Sequence, residues 1–323
     1  MLGIIKGELI LHFALNHGMG GLQDSFRDNA GYSYHIKVKK GTLSGYTLNA
    51  GSPERVEMAA KLIRDPTLIS SNRGLVIYNG IYDKTPVTLF CTGMGPGSAE
   101  IVYTEVLTNI NLKKYRRPVT IRVGTAGSWS PMVNVGDIVA ETGIIRNEGS
   151  GLKIAPVEWP ARTDMLTDLI VAETASKMGL TKKLWFGPGI TKDTLYADEE
   201  PENRSAIPWQ VEAKQKSYDN MGALSTSMES SPMALITEMY NRMLYSQGIR
   251  ISFSSLLLIV SPYYASEKNV QFKVTDKDEI SALKLGLASL NRKREIDTAM
   301  DQGEKIDFDA YGALRLLYER LTY

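Results

Sequence analysis

Val119-Thr-Ile-Arg-Val-Gly-Thr-Ala-Gly127 is the stretch that decides the fold. Its first five residues combine β-branched and apolar side chains, which is typical of a buried strand, and the glycines that follow predict a turn where the strand ends. Arg122 is the exception, because an unpaired guanidinium is costly to bury inside an apolar strand. A charge at this position needs an anionic partner, and a bound phosphate can accept both arms of an arginine fork.

Short apolar runs alternate with helical stretches along the rest of the chain. This alternation is typical of an α/β fold in which helices cover both faces of a sheet. The sequence predicts strands at residues 87–91, 119–123, 138–142 and 251–260, and helices at residues 99–110, 165–178 and 232–245. Residues 197–217 are polar and contain two prolines, which predicts a long loop over the site. We expect a leader at residues 1–31 and one domain at residues 32–323.

The composition excludes several classes of function. With 37 basic and 36 acidic residues among 323, the net charge of +1 gives no broad positive surface for nucleic acid. No apolar run approaches the roughly 18 residues that span a bilayer, and the N-terminus lacks the order of a secretory signal. We therefore expect a cytoplasmic protein that binds neither nucleic acid nor membrane. Cys91 is the only cysteine, and no histidine pair has the spacing of metal ligands.

Two further glycine clusters stand beside predicted strands. They are Asn49-Ala-Gly-Ser-Pro-Glu-Arg55 and Cys91-Thr-Gly-Met-Gly-Pro-Gly-Ser98. Glycine lets backbone N–H groups approach an anion closely. The second cluster is not a dinucleotide fingerprint, because a proline interrupts its turn, and the chain has no P-loop. A single glycine turn more often serves chain reversal than binding, but an arginine accompanies both the first cluster and the stretch at Gly127.

Six motifs in this order resemble the nucleoside phosphorylase family, of the uridine phosphorylase type. They are Gly51-Ser-Pro-Glu-Arg55-Val, Ser71-Asn-Arg73, Thr92-Gly-Met-Gly-Pro-Gly-Ser98, Ile121-Arg-Val-Gly-Thr-Ala-Gly127, Val135-Gly-Asp137 and Met228-Glu-Ser230. The resemblance implies a single-domain three-layer α/β/α sandwich with a central mixed β-sheet. It implies that inorganic phosphate is a co-substrate that attacks C1′ of a nucleoside directly, with no cofactor. It also implies a homodimer or higher oligomer, and it leaves open whether a cation binds at the interface.

The resemblance carries a set of site residues over to this chain. Phosphate is assigned to Gly51, Arg55, Arg73, Arg122 and Thr125, ribose to His35, Met228 and Glu229, and catalysis to Arg122, Glu229 and Thr125. His35 and Arg73 are implied to reach in from a neighbouring subunit. Without the resemblance, both are typical of solvated surface residues, and Glu229 is typical of an acid at a helix start. The family often has a further acid where this chain has Ser227.

Base recognition is where the sequence departs from the family. Asp193-Thr-Leu195-Tyr196 resembles the segment that forms the wall of the base pocket, but Glu199 and Pro201 replace the glutamine and arginine that bind uracil. We expect the base to contact Leu195 and Tyr196, with edge contacts from Arg204, Gln210 or Gln215. We interpret the chain as an enzyme of the uridine phosphorylase type, which cleaves uridine with phosphate. A purine or broad-specificity phosphorylase, a hydrolytic nucleosidase, and an inactive relative that serves as an oligomeric partner or ligand sensor stay open as alternatives.

Overall fold

The computed structural model describes residues 26–262 and 274–320. Within them, ten strands form one mixed sheet. The strands are β1 (Tyr46–Ala50), β2 (Arg64–Asn72), β3 (Leu75–Tyr82), β4 (Thr85–Cys91), β5 (Val119–Ser128), β6 (Ile138–Asn147), β7 (Ala161–Arg162), β8 (Leu184–Lys192), β9 (Ser225–Ser227) and β10 (Ser252–Ser261). The helices are α1 (Pro53–Ala60), α2 (Pro96–Asn109), α3 (Ser150–Ile154), α4 (Met165–Lys177), α5 (Tyr196–Glu199), α6 (Pro201–Arg204), α7 (Pro208–Asn220), α8 (Ser230–Leu244), α9 (Asp276–Gln302) and α10 (Ala310–Arg320). Most of the predicted leader, residues 1–25, lies outside the described ranges.

The sheet closes on itself at one end. Its strand order is β2-β3-β4-β1-β5-β9-β8-β6-β10, and β10 also pairs with β5. The strands β5, β9, β8, β6 and β10 therefore form a ring, while β1 to β4 extend from it as an open sheet. Both β1 and β10 run parallel to β5. The carboxyl ends of these strands meet at one edge, which is where ligands bind in α/β sheets.

Helices cover both faces of this sheet. One apolar cluster joins the sheet to α1, α4, α9 and α10, and a second joins its other face to α2 and α8. Burial on both faces explains why the strands read as apolar runs rather than as alternating patterns. The expected three-layer α/β/α arrangement with a mixed central sheet is confirmed.

The predicted elements all occur, but β5 extends further than its sequence indicated. It runs Val119–Ser128, so Gly124 and Gly127 lie inside the strand rather than in a turn after it. A Cβ atom on Gly124 would lie 2.1 Å from Nη1 of Arg122. The glycine is therefore required by the arginine, whose guanidinium folds across the backbone at this position.

The prediction of a long loop at residues 197–217 is wrong. The segment forms most of α5, all of α6 and most of α7. Pro201 and Pro208 stand in the first turns of α6 and α7, where a residue without an N–H group costs no hydrogen bond. Gln215 is the only buried residue of α7, so the helix leaves almost no apolar periodicity in the sequence.

Across residues 26–262 and 274–320, no helix has both the length and the apolar content that a membrane crossing requires.

Candidate active site

Two helices begin where neighbouring parallel strands end. Strand β1 leads through Gly51 into α1, which Ser52 caps by accepting a hydrogen bond from the backbone N–H of Arg55 at 3.4 Å. Strand β4 leads into α2 through Gly93 and Gly95, whose φ angles of 72° and 90° favour glycine. Helix N-termini carry partial positive charge and free N–H groups. Both helices thus present anion-binding ends at one edge of the sheet.

Arg122 and Glu229 form a buried ion pair at this edge. The guanidinium Nη2 of Arg122 donates to Oε2 of Glu229, and the two residues are 2% and 7% exposed. The other carboxylate oxygen, Oε1, accepts a hydrogen bond from the backbone N–H of Gly95 at 2.8 Å. Glu229 immediately precedes α8. The carboxylate is therefore held by β5 on one side and by the start of α2 on the other.

Arg55 brings a second guanidinium to the same place. A Cβ on Gly51 would lie 3.0 Å from Nη2 of Arg55, so the arginine lies directly against the glycine backbone. Burial lowers the pKa of Arg55, and the nearby charge of Arg122 lowers it further. Both Nη1 atoms, of Arg55 and of Arg122, are buried without a hydrogen-bond partner in the part of the chain that the structure describes. Two desolvated cations this close are stabilised by an anion that contacts both.

A cavity of about 490 Å³ opens beside the two helix N-termini. Its lining includes Gly51, Gly93, Ser98, Arg73 and His35. Arg73 lies in the turn between β2 and β3 with a φ of 55°, and its guanidinium carbon is 5.3 Å from the ring centre of Tyr34. Both residues assigned to a neighbouring subunit thus line a cavity with Gly51 of their own chain.

Glu105 fixes the orientation of His35. Nδ1 of His35 lies 2.7 Å from Oε1 of Glu105, and the same carboxylate accepts backbone hydrogen bonds from His35 and Ile36 at 3.1 and 2.8 Å. With Nδ1 engaged in this way, Nε2 is the ring nitrogen left to bond a ligand. Glu105 was not among the residues predicted from the sequence. Its signal was an acid within the apolar stretch of α2, but its partner lies 70 residues away.

The other residues predicted for phosphate, ribose and base lie on β5, after β9 and at the start of α5. Thr125 is half-buried in β5, three residues after Arg122, and Met228 follows β9 immediately before Glu229. Leu195 and Tyr196 are 48% and 65% exposed. They lie at and just before the start of α5, where their side chains are open to solvent.

The three side chains predicted to contact the base edge lie on α6 and α7. Arg204 pairs with Glu200 at 3.5 Å, and its guanidinium carbon is 5.8 Å from the ring centre of Tyr196. Gln215 is buried and donates to the backbone oxygen of Asp198, whereas Gln210 is exposed. Their role at the base stays a prediction.

Metal ligation has no support in residues 26–262 and 274–320, where no group of three or more His, Cys, Asp or Glu side chains is arranged to hold an ion.

A family model described as the phosphorylase superfamily matches residues 46–252. This chain belongs to that superfamily. The matched range includes Arg55, Arg122 and Glu229. His35 lies before the range begins. Membership confirms the resemblance to nucleoside phosphorylases that the six motifs indicated.

Individual relatives agree with this assignment. The uridine phosphorylase of Klebsiella aerogenes is 31% identical over 221 residues, which cover 67% of this chain and 81% of the relative. The guanosine phosphorylase of Halorubrum lacusprofundi is 31% identical over 168 residues, which cover 51% of this chain and 66% of the relative. The crystal structure of uridine phosphorylase from Vibrio fischeri ES114 superimposes with a TM-score of 0.63 at 23% identity, covering 84% of this chain and all of that one. This last likeness shows the shared fold.

Proposed function

We propose that this enzyme catalyses the reversible phosphorolysis of uridine to uracil and ribose 1-phosphate. The observation that carries the proposal is the pair of unpartnered guanidinium nitrogens, on Arg55 and Arg122, beside the buried carboxylate of Glu229. This arrangement supplies cations for phosphate and an anion for the sugar at one place. The uridine phosphorylases among the relatives, at up to 31% identity, support the choice of nucleoside.

We assign a task to each group. Phosphate lies between Arg55 and Arg122, against the backbone of Gly51 and the start of α1, with the hydroxyl of Thr125 at its side. Glu229 accepts hydrogen bonds from the 2′ and 3′ hydroxyls of the ribose and stabilises the positive charge that develops at C1′. A phosphate oxygen then bonds to C1′ as the bond from C1′ to the base nitrogen breaks. The enzyme contributes position and charge rather than a nucleophile of its own.

The ion pair changes its partners when substrates bind. In the structure, Glu229 occupies one arm of Arg122 and leaves the other arm free. Phosphate attracts the guanidinium of Arg122, and the ribose hydroxyls attract the carboxylate of Glu229. Each charged group therefore gains a substrate partner in place of the other. Because a buried charge is costly without a partner, binding of one substrate favours binding of the other.

We also infer a homo-oligomer in which His35 and Arg73 complete the site of the adjacent chain. The lining of this cavity includes Met94 and Ile101, which are 86% and 37% exposed. Tyr34, which is 48% exposed, packs beside Arg73 and His35. Large exposed apolar groups at the mouth of a polar cavity favour contact with a second chain. Arg73, which stands in the tight turn between β2 and β3, is well placed to cross such a contact.

A subunit-mixing experiment separates shared sites from self-contained ones. Arg73→Ala and Glu229→Ala should each be inactive alone, and a mixture that exchanges subunits should regain up to about a quarter of wild-type activity, because half of a mixed dimer's sites receive both intact residues. The matched control mixes Arg122→Ala with Glu229→Ala, which belong to the same half of the site and should not rescue each other. Absence of rescue in a verified mixed dimer would place both halves within one chain.

The substrate preference is tested by comparing nucleosides at equal phosphate concentration. Uridine should react fastest, and deoxyuridine should be slower, because loss of the 2′ hydroxyl leaves part of the Glu229 carboxylate without its partner. The measurement is initial rate of base release from uridine, deoxyuridine, inosine and adenosine. Faster release from either purine nucleoside than from uridine would show that the base class is wrong.

A further inference from the structure

The ring of strands contains a buried carboxyl group that the proposed reaction does not use. Glu141 lies on β6 and is fully buried, and neither of its carboxyl oxygens has a hydrogen-bond partner among the described residues. Gly189 of β8 provides the space for this side chain, because a Cβ there would overlap Oε1 of Glu141. An ionised carboxylate in such surroundings lacks both water and a cationic donor, which is costly. The fold therefore favours the neutral form of Glu141.

Strand β10 connects Glu141 to the buried ion pair. Ser255 of β10 pairs directly with Arg122 of β5, and β10 also pairs with β6, which brings Ser255 beside Glu141. The Oγ atom of Ser255 lies 3.0 Å from Oγ of Ser230, the residue that follows Glu229. Glu141 therefore lies close to the ion pair, with Ser255 between it and Arg122.

Burial raises the pKa of Glu141, and the charges of the ion pair also act on it. The hydroxyls of Ser230 and Ser255 and the charge of Arg122 lower this pKa, whereas the negative charge of Glu229 raises it. Arg122 attracts the ionised form of Glu141 but forms no hydrogen bond to it, since its Nη1 atom is also unpartnered in the described part of the chain. Two buried groups without partners thus lie near each other beside the site assigned to phosphate.

Other charged groups on the elements packed against β6 have partners of their own. On the side of α4, Oγ1 of Thr163 lies 2.7 Å from the backbone oxygen of Glu141 and 2.6 Å from Oδ2 of Asp168. Asp168 therefore approaches the backbone of Glu141 rather than its carboxyl group. At the end of β8, Lys192 forms an ion pair with Glu199. Arg122 is the cation available to an ionised Glu141.

We propose that Glu141 is a positioning residue that leaves the free arm of Arg122 to phosphate while it is neutral and takes that arm when it ionises. Arg55 and Arg122 bring two positive charges to the site, and Glu229 offsets one of them. A neutral Glu141 leaves a net positive charge for phosphate, whereas an ionised Glu141 cancels it. Because phosphate and an ionised Glu141 compete for the same cation, each disfavours the other. This inference rests on the proposed phosphate site.

The competition couples phosphate binding to the protonation of Glu141. As pH rises through the pKa of Glu141, the carboxyl group loses its proton and the affinity for phosphate falls. Bound phosphate places further negative charge beside Arg122, and it therefore raises the pKa of Glu141 in turn. At a pH near this pKa, phosphate binding is accompanied by proton uptake at Glu141.

Calorimetric titration with inorganic phosphate, in the absence of nucleoside, tests this competition. The ratio of the phosphate Kd of the wild type to that of Glu141→Gln should rise by about tenfold or more from weakly acidic to alkaline pH, because only the wild type gains a charge at this position. Taking the ratio at each pH cancels the titration of phosphate itself. A ratio that does not change with pH would overturn the proposal.

Asp168→Asn is the matched control for this change. Burial raises the pKa of Asp168 to about 7, and its carboxyl group contacts the hydroxyls of Thr163 and Ser254 rather than Arg122. The variant thus replaces another buried carboxyl group by an amide. Its phosphate Kd should follow that of the wild type across the same pH range.

Infrared spectroscopy of the wild type with ¹³C-labelled glutamate tests the protonation state without a variant. A C=O stretching band of a neutral glutamic acid should be present at neutral pH, and it should persist to higher pH when phosphate is bound. If Glu141→Gln folds, it should lack this band; if it does not fold, the response of the band to phosphate decides alone. Absence of a neutral glutamic acid band that responds to phosphate would also overturn the proposal. A wild type that binds no phosphate at any pH would instead overturn the proposed phosphorolysis.

Discussion

Replacing Arg122 with alanine should lower kcat/KM for phosphate in uridine phosphorolysis by more than about a hundredfold, which corresponds to roughly 3 kcal/mol of transition-state stabilisation. Arg122 is almost fully buried, contacts Glu229 and presents a second nitrogen without a partner. Its removal would delete the proposed contact to phosphate and leave the buried carboxylate of Glu229 without its cationic partner. Steady-state rates over a range of phosphate concentrations measure the loss.

Two further variants distinguish a lost contact from a lost fold. Arg122→Lys retains a positive charge beside Glu229 but not the two-pronged geometry, so it should fold and still be strongly impaired. Arg117→Ala is the matched control, since Arg117 lies just before β5 and pairs with exposed Asp301 at 2.8 Å. It should keep nearly full activity. A near-normal kcat/KM for phosphate in both Arg122→Lys and Arg122→Ala would remove Arg122 from the site.

Glu229→Gln should reduce kcat for uridine by roughly a hundredfold, because charge stabilisation at C1′ is lost while the shape of the side chain is kept. The KM for phosphate should fall or stay unchanged, since Arg122 is released from its ion pair. A lower kcat without a rise in the KM for phosphate is the signature of a carboxylate that acts on the sugar. Steady-state kinetics with phosphate as the varied substrate gives both quantities.

Glu238→Gln is the control for this change. Glu238 lies on the same helix, α8, and its carboxylate approaches Arg162 only to 3.9 Å. Its rates should match those of the wild type. If Glu229→Gln instead raised the KM for phosphate and left kcat intact, the carboxylate would be a structural partner of Arg122 and not a ribose ligand.

The arginines that we assign to phosphate could be found in the sequence because their signals are local. An arginine inside an apolar strand and another four residues past a glycine are both visible without a structure, and both lie where they were expected. Contacts between distant segments left no such signal. The ring closes through β10 and β5, whose paired residues are more than 130 positions apart, and Glu105 holds His35 across 70 positions.

The helices that replace the predicted loop could not be read from the sequence, for a different physical reason. The prolines at 201 and 208 predict loops when they are considered singly, yet both begin helices. Nothing in the sequence shows that the ammonium group of Lys192, at the end of β8, is buried against Glu199. The burial of a long polar side chain depends on its partners, and these partners can be identified only in the folded structure.

In the proposed reaction, phosphate and not water attacks C1′ at the Arg55 and Arg122 site. The most direct measurement is uridine cleavage in ¹⁸O-labelled water with and without inorganic phosphate, followed by mass analysis of the sugar product. Direct attack by phosphate predicts that uracil release requires phosphate and that the product is ribose 1-phosphate with no label at C1′. Phosphate-independent uracil release with labelled free ribose would contradict the account and assign hydrolysis to this site.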